Sequence, residues 1–179
     1  MHYYNKGFRP SIVFINGEYW GIHGIREKID KHYFNYHYGI DEDNINILGI
    51  CGDVEEGYNI DYFELVDFLA TADMTRPHSY NHIKKEVDIW NFIDAQIAEI
   101  YFANYDWPCN NFKMWKTNNP DSKWRFIAYD FDLSYGSDES SEYNTKSLNH
   151  ATSIESEWPY CDCSNRLLRK LMENEEFKI

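Results

Sequence analysis

The chain has 179 residues, with 17 Lys+Arg against 30 Asp+Glu, and so a formal net charge of −13 at pH 7 with its seven histidines neutral. At 43% hydrophobic and 18% aromatic residues it has the composition of a folded domain and not of a disordered chain, and its length sets one domain, or one and a half at most. The acidity argues against non-specific nucleic-acid binding, which needs clustered Lys and Arg to displace counterions, although it leaves room for a local basic pocket; no run of 18 apolar residues offers a membrane span, and no signal-peptide pattern is visible.

Ser11–Ile15 is apolar and rich in β-branched residues, and Asn16-Gly17 follows. That pair is the strongest short hairpin signal, because a type I′ turn needs positive φ at both central residues. Glu18 to Ile25 reads as the return strand, with Gly21 and Gly24 marking a bulge or a close backbone approach. Ile29–Tyr38 predicts a short helix stopped by Gly39. Ile45–Ile50 predicts a short strand, and the acidic Gly52–Asn59 stretch a surface loop.

Asp61–Ala72 carries Tyr62, Phe63, Leu65, Val66 and Leu69 at helical spacing. Thr75-Arg76-Pro77-His78 breaks that pattern, and a polar helix runs from Ser79 to about Glu86. Asp88 is a good N-cap for the next helix, whose Ile89, Phe92, Ile93, Ile97, Ile100 and Tyr101 predict one broad buried stripe. Pro108 ends it. Phe112–Lys116 and Trp124–Tyr129 read as a second hairpin around the polar turn of residues 118–122. Ser137–Asn144 reads as a mobile acidic loop, Ile154–Ser164 as irregular, and Leu167, Leu168, Leu171 and Met172 mark a last helix.

Hairpin, helices, hairpin and tail make an α+β domain, a single unit over residues 1–179. The chain opens as if in mid-strand and stops without winding down, so it is expected to be part of a larger protein. Cys51, Cys109, Cys161 and Cys163 show no paired metal spacing and imply no particular disulfide; plain thiols are the expected state. His78 and His82 form an i,i+4 pair with no third ligand nearby. The loop holding Asp138, Glu139 and Glu142 lacks the ligand-and-glycine spacing of an EF-hand and reads as solvated surface.

The chemistry is expected at the second hairpin. Asp106 lies just before its first strand and Asn111 at that strand's start, while the second strand ends at Asp130, with Asp132 two residues on. A hairpin returns the chain to its starting end, so Asp106, Asn111 and Asp130 should converge. Such oxygen donors suit Mg²⁺, with water and phosphate filling the remaining positions. Asp-x-x-x-x-Asn, a hairpin and then Asp is also the phosphoryl-transfer layout of protein kinases, in which charge must be neutralised and the nucleophile held in line. The alternative is that Asp106, Asn110-Asn111 and Asp130 are turn and cap residues.

Asn16-Gly17-Glu18-Tyr19-Trp20-Gly21-Ile22 followed by Arg26-Glu27-Lys28-Ile29-Asp30 resembles the signature ribbon of the CotH family, the spore-coat protein-kinase-like family. Asp106-Trp107-Pro108 through Asn110-Asn111 and Trp115 resembles its catalytic segment, and the stretch from Lys123 through Tyr129-Asp130-Phe131-Asp132 to Gly136 its metal-binding segment. Leu167 to Phe177 is similar to its downstream helix.

The resemblance implies an atypical protein-kinase-like fold, ATP with Mg²⁺ (or Mn²⁺), and transfer of the γ-phosphate to Ser or Thr of a protein. It further implies an extracellular or cell-surface location. Asp106 would be the catalytic base, Asn111 and Asp130 metal ligands. Asp132 reads equally as a metal ligand and as a satisfied turn residue. Arg26, on the ribbon's return strand, could bind phosphate bidentately, with Glu27 orienting a cation; an exposed ion pair with Glu27 or Asp30 is the other reading. No Gly-x-Gly-x-x-Gly loop is present, Asn104-Tyr105 replaces the His-Arg of ordinary kinases, and Asp132 stands where their Asp-Phe-Gly has glycine. The family's earlier region, which helps cover the nucleotide, is expected to be absent from this stretch of chain. A non-catalytic binding or structural module on the same fold is therefore the rival reading.

Overall fold

Asn16 and Gly17 take left-handed φ of 53° and 85° in the computed structural model, which describes residues 6–137, 142, 144–153 and 162–178. Their turn joins β1 (Phe8–Ile15) to β2 (Glu18–Arg26) in an antiparallel ribbon. The register shifts between Val13 and Phe14, opposite the stretch where Gly21 sits at φ 118°. This is the predicted bulge. A Cβ on Gly24 would run into the Phe8 ring, so the close approach is present as well. The ribbon forms a sheet of its own and leaves Phe8, Ile12, Phe14, Trp20 and Ile22 exposed.

Local signals set the first helix. In α1 (Lys31–Tyr38) the Asp30 side chain accepts from the N–H groups of His32 and Tyr33, and Gly39 closes the helix at φ 66°. Tyr33 and Phe34 are buried, and the Phe34 ring packs 4.4 Å from that of Trp115.

The second hairpin belongs to a larger sheet. β3 (Ile45–Leu48), β4 (Val54–Glu56), β5 (Lys113–Thr117) and β6 (Arg125–Ile127) pair antiparallel in the order β4-β3-β5-β6. Strand β4 corrects the reading of residues 52–59 as loop. A short 3₁₀ turn, Ile50–Gly52, folds the chain back after β3, and the Glu55 and Glu56 that suggest a loop are the charges of an edge strand. Sheet residues alternate between two core layers. Leu48, Met114 and Phe126 join the main cluster, while Ile47, Trp115 and Ile127 join the smaller one with Tyr33 and Phe34 of α1.

The main cluster lies against α2 (Ile60–Thr71), α3 (Pro77–Glu86), α4 (Ile89–Tyr101) and α6 (Asp162–Leu171), with the short α5 (Ser147–Thr152) at its side. Pro77, read as a breaker, opens α3, where its missing N–H costs nothing. Helix α4 turns Ile89, Phe92, Ile93 and Ile100 of the expected stripe to the core, but not its whole length. Ile97 and Tyr101 are 54% and 75% exposed, whereas Asn91, Gln96 and Glu99 are buried. Asn91 shows why. Its Oδ1 accepts from the Phe126 N–H at 2.6 Å and its Nδ2 donates to the Phe126 carbonyl at 3.2 Å, so one side chain does the work of a neighbouring strand at the free edge of β6. Asn91→Ala leaves two buried backbone groups unpaired, at about 1–3 kcal/mol each. The melting temperature of that variant is expected to fall by roughly 5–15 °C in a calorimetric scan.

Cys51 and Cys163 form a disulfide, Cα–Cα 5.2 Å, across 112 residues, which corrects the expectation of plain thiols. It ties the 3₁₀ turn to α6; residues 162–164, expected to be irregular, begin that helix. Residues 154–161 and most of the acidic loop, with Asp138 and Glu139, lie outside the described residues. A bridge over so long a loop typically adds about 2–4 kcal/mol, in good part by restricting the unfolded chain. Reduction should therefore lower the melting temperature by roughly 5–15 °C, and Cys163→Ser should show the lower value with or without reductant.

Candidate functional site

Two connecting segments run side by side beyond the sheet. The Tyr105 N–H donates to the Leu133 carbonyl and the Tyr135 N–H to the Phe102 carbonyl, both at 3.0 Å. The first segment links α4 to β5 and carries Asp106 and Asn111; the second leaves β6 and carries Asp130 and Asp132. Between them two carboxamides clasp one carbonyl. Asn111 Nδ2 donates to Asp130 O at 2.9 Å, and Asn104 Nδ2 donates to the same oxygen at 3.3 Å. Asp130 has φ 61° and Asn111 φ 55°, left-handed conformations that Asp and Asn tolerate better than other side chains. With its carbonyl held inside, Asp130 remains exposed and lines a cavity of about 470 Å³.

That cavity gathers both signs of charge. Arg26 comes from the end of β2, Lys6 from the residues before β1, and Asp130 and Asp132 from the segment after β6, with Tyr129 between them. The Lys6 ammonium lies 5.0 Å from the centre of the Tyr129 ring, and that of Lys113 5.6 Å. Burial holds the Lys6 pKa below its ordinary value, and the nearby Lys113 charge lowers it further. Lys113 in turn pairs with Glu55 at 2.6 Å. Burial above all, and then the carboxylates of Glu55, Asp130 and Glu99, push the Tyr129 hydroxyl up to about 12, so it is a neutral phenol at physiological pH.

Behind the clasp sits Glu99. It is 3% exposed, and its Oε2 accepts from Asn104 Nδ2 at 2.8 Å. Burial pushes its pKa up to about 8, against the lowering effect of that hydrogen bond. Neutral Glu99, Asn104, the Asp130 carbonyl and Asn111 thus form one chain of contacts.

The predicted residues distribute unevenly. Arg26, Asp130 and Asp132 share the cavity, and Asn111 reaches Asp130 through its amide nitrogen, which leaves Oδ1 as the end able to meet a cation. Asp106 does not line the cavity; its Oδ2 accepts from Asn110 Nδ2 at 3.3 Å, just before a cis Trp107-Pro108 bond. Glu27 is held away from the cavity. It accepts from the Gly7 N–H at 2.6 Å and shares a 2.9 Å hydrogen bond with His37 Nε2, contacts that lower its pKa, the backbone one first. Among the described residues no group of three or more His, Cys, Asp or Glu is placed to hold a metal ion. The oxygens of Asn111, Asp130 and Asp132 are hard donors of the kind Mg²⁺ accepts alongside water and phosphate.

Sequence reasoning missed Lys6, Lys113, Asn104 and Glu99. Only Glu99 carried a signal, as an acid among the apolar residues of α4.

Among the described residues no helix is long and apolar enough to cross a membrane. No curated protein matches the chain, and no solved structure matches it. The family model described as CotH kinase protein matches residues 1–179, and the chain, matched along its whole length, belongs to the CotH family.

Proposed function

We propose that the chain is an ATP- and Mg²⁺-dependent protein kinase domain of atypical kinase-like fold, which transfers the γ-phosphate to Ser or Thr of a protein substrate at the cell surface or outside the cell. The observation that carries this reading is the clasped Asp130 facing Arg26 and Lys6 across one cavity, in a chain of the CotH family. Arg26 and Lys6 supply the cationic donors that phosphate oxygens need. Asp130, Asp132 and Asn111 Oδ1 would hold the cation, which neutralises charge on the phosphoryl group when bound. Asp106 accepts the proton of the acceptor hydroxyl as its oxygen bonds to phosphorus and ADP leaves. The Cys51–Cys163 disulfide suits an oxidising location.

The rival reading, a non-catalytic module, draws on the position of Asp106 outside the cavity lining. One pair of measurements separates the two. A kinase should show a rise in melting temperature that needs ATP and Mg²⁺ together, and transfer of label from [γ-³²P]ATP to protein. Absence of both would leave the module.

A further inference from the structure

A second cavity, of about 380 Å³, lies along the Asp106 segment and shares no lining residue with the first. Ala103, Asn104, Tyr105 and Trp107 form one side, and Lys146 and His150 stand on the other. Tyr105 and Trp107 immediately flank Asp106 in the chain, so the cavity opens on the segment that carries the residue assigned to the acceptor hydroxyl, although Asp106 itself is not part of its lining.

Two of its polar atoms lack partners among the described residues. Asn104 is 4% exposed, and its Oδ1 is buried with no hydrogen bond; the same holds for His150 Nε2. The Asn104 amide cannot turn over to cure this, because Nδ2 is already committed to Glu99 and to the Asp130 carbonyl. Burial lowers the His150 pKa, which leaves a neutral ring. A buried acceptor without a donor is costly, and an incoming N–H or O–H relieves the cost. Trp107, Tyr105 and Ala103 supply apolar surface on one side, while Lys146 and the polar Thr145, Ser147, Asn149 and Ser153 complete the wall. A carboxylate at the inner end would meet the bare Asn104 oxygen, and a cation would meet Lys146.

We propose that this cavity is the acceptor-side pocket. It takes an uncharged side chain with an aromatic body and a hydrogen-bond donor at its tip, tyrosine or tryptophan, from the polypeptide whose Ser or Thr meets Asp106. The assignment deepens the kinase reading and rests on it. It also joins the two cavities. Asn104 receives the acceptor's donor on Oδ1 while its Nδ2 holds Asp130, so acceptor binding stiffens the metal-binding carboxylate from behind.

The test is a peptide library with a fixed central Ser and each flanking position varied, phosphorylated by the protein with labelled ATP and Mg²⁺. One flanking position should favour Tyr and Trp over Ala by roughly tenfold or more. Asn149→Trp, an exposed lining position, should fill the pocket and erase that preference while the rise in melting temperature with ATP and Mg²⁺ remains. Ser147→Trp serves as a second blocking variant should the first not fold.

A second readout does not depend on turnover. N-acetyl-tyrosinamide should shift the Trp107 indole and His150 imidazole resonances, and N-acetyl-phenylalaninamide should do so far less. Transfer without a Tyr or Trp preference, or with one that neither variant alters, overturns the proposal. No transfer and no ATP–Mg²⁺ stabilisation overturns the kinase reading and the acceptor role with it, and in that case the tyrosinamide shifts report whether the pocket binds at all.

Discussion

Asp130→Asn is expected to remove both the ATP–Mg²⁺ rise in melting temperature and phosphoryl transfer, whereas Asp106→Asn keeps the first and loses the second. The two residues stand in different places and so fail differently. Asp130 lines the cavity that also holds Arg26 and Lys6. On the proposed function, losing that charge would remove a metal ligand where charge neutralisation dominates the barrier, a loss of roughly a hundredfold or more in turnover. Asparagine is the informative replacement, because residue 130 sits at φ 61° and Asn tolerates that conformation where Ala adds strain. The clasp on the carbonyl by Asn104 and Asn111 uses backbone, and survives the change. Asp106 lies outside that cavity, so Asp106→Asn leaves nucleotide binding alone and slows proton removal by about 10²–10⁴-fold. Transfer measured with labelled ATP, beside the thermal shift, distinguishes the two. Equal loss of nucleotide binding in both variants would mean that Asp106 belongs to the metal site, and full transfer in Asp106→Asn would deny it the role of base.

What the chain order revealed, and what it hid, follows the range of the interactions. Asn16-Gly17, the Gly39 stop of α1, and the Asp88 cap of α4 each bond within a few residues, so each is readable from neighbours alone. Strand β4 is not, because an edge strand exposed on one side looks like an acidic loop until Ile47 and Leu48 are seen beside it. Counting apolar residues found most of the inward face of α4 but missed its buried polar residues, for a related reason. Asn91 faces inward because Phe126, 35 residues later, offers an unpaired edge, and Glu99 because Asn104 meets it beyond the end of the helix.

The candidate site divides in the same way. Arg26, Asp130 and Asp132 stood out through their motifs and lie in one cavity. Asp106 and Glu27 stood out equally and lie elsewhere. Lys6 and Lys113 have no motif, and only the sheet brings β5 and the ribbon's base to the two sides of Tyr129. Cys51 and Cys163 meet across 112 residues, a distance over which spacing says nothing.

Raising the pH from 6.5 to 8 is expected to destabilise the protein, and Glu99→Gln to remove most of that loss. Glu99 has a folded pKa of about 8 against an ordinary 4.5, because burial opposes its charge. Below pH 4.5 the folded and unfolded chains both hold the proton. Between 4.5 and 8 the folded chain keeps it and the unfolded chain releases it, so each added unit of pH costs about 1.4 kcal/mol. Above 8 both states are ionised and the full cost, roughly 5 kcal/mol, has been incurred.

His150 acts in the other direction. Its folded pKa is lowered by burial, so it costs stability as pH falls below 6.5. His32, its pKa raised by the Glu42 carboxylate, loses a small exposed contribution as pH rises above 6.5, so Glu99 is the main and not the sole group over the interval from 6.5 to 8. Over that interval the loss is roughly 2 kcal/mol, a fall of about 4–8 °C in melting temperature. The Glu99→Gln side chain keeps the shape and can still accept from Asn104 through its amide oxygen, but has no charge to acquire. The variant's curve should keep only the shallow slope of exposed groups such as His32 and cross above the wild-type curve as pH rises.

The same ionisation bears on the site. Asn104 Nδ2 has two N–H groups, one for Glu99 and one for the Asp130 carbonyl, and a charged Glu99 draws the amide toward itself and lengthens the second contact, so ATP–Mg²⁺ affinity should weaken above pH 8 in the wild type and not in Glu99→Gln. A wild-type stability curve that is level from pH 6.5 to 8 would mean that Glu99 is already ionised in the folded protein, with a compensating cation or water at its buried oxygens.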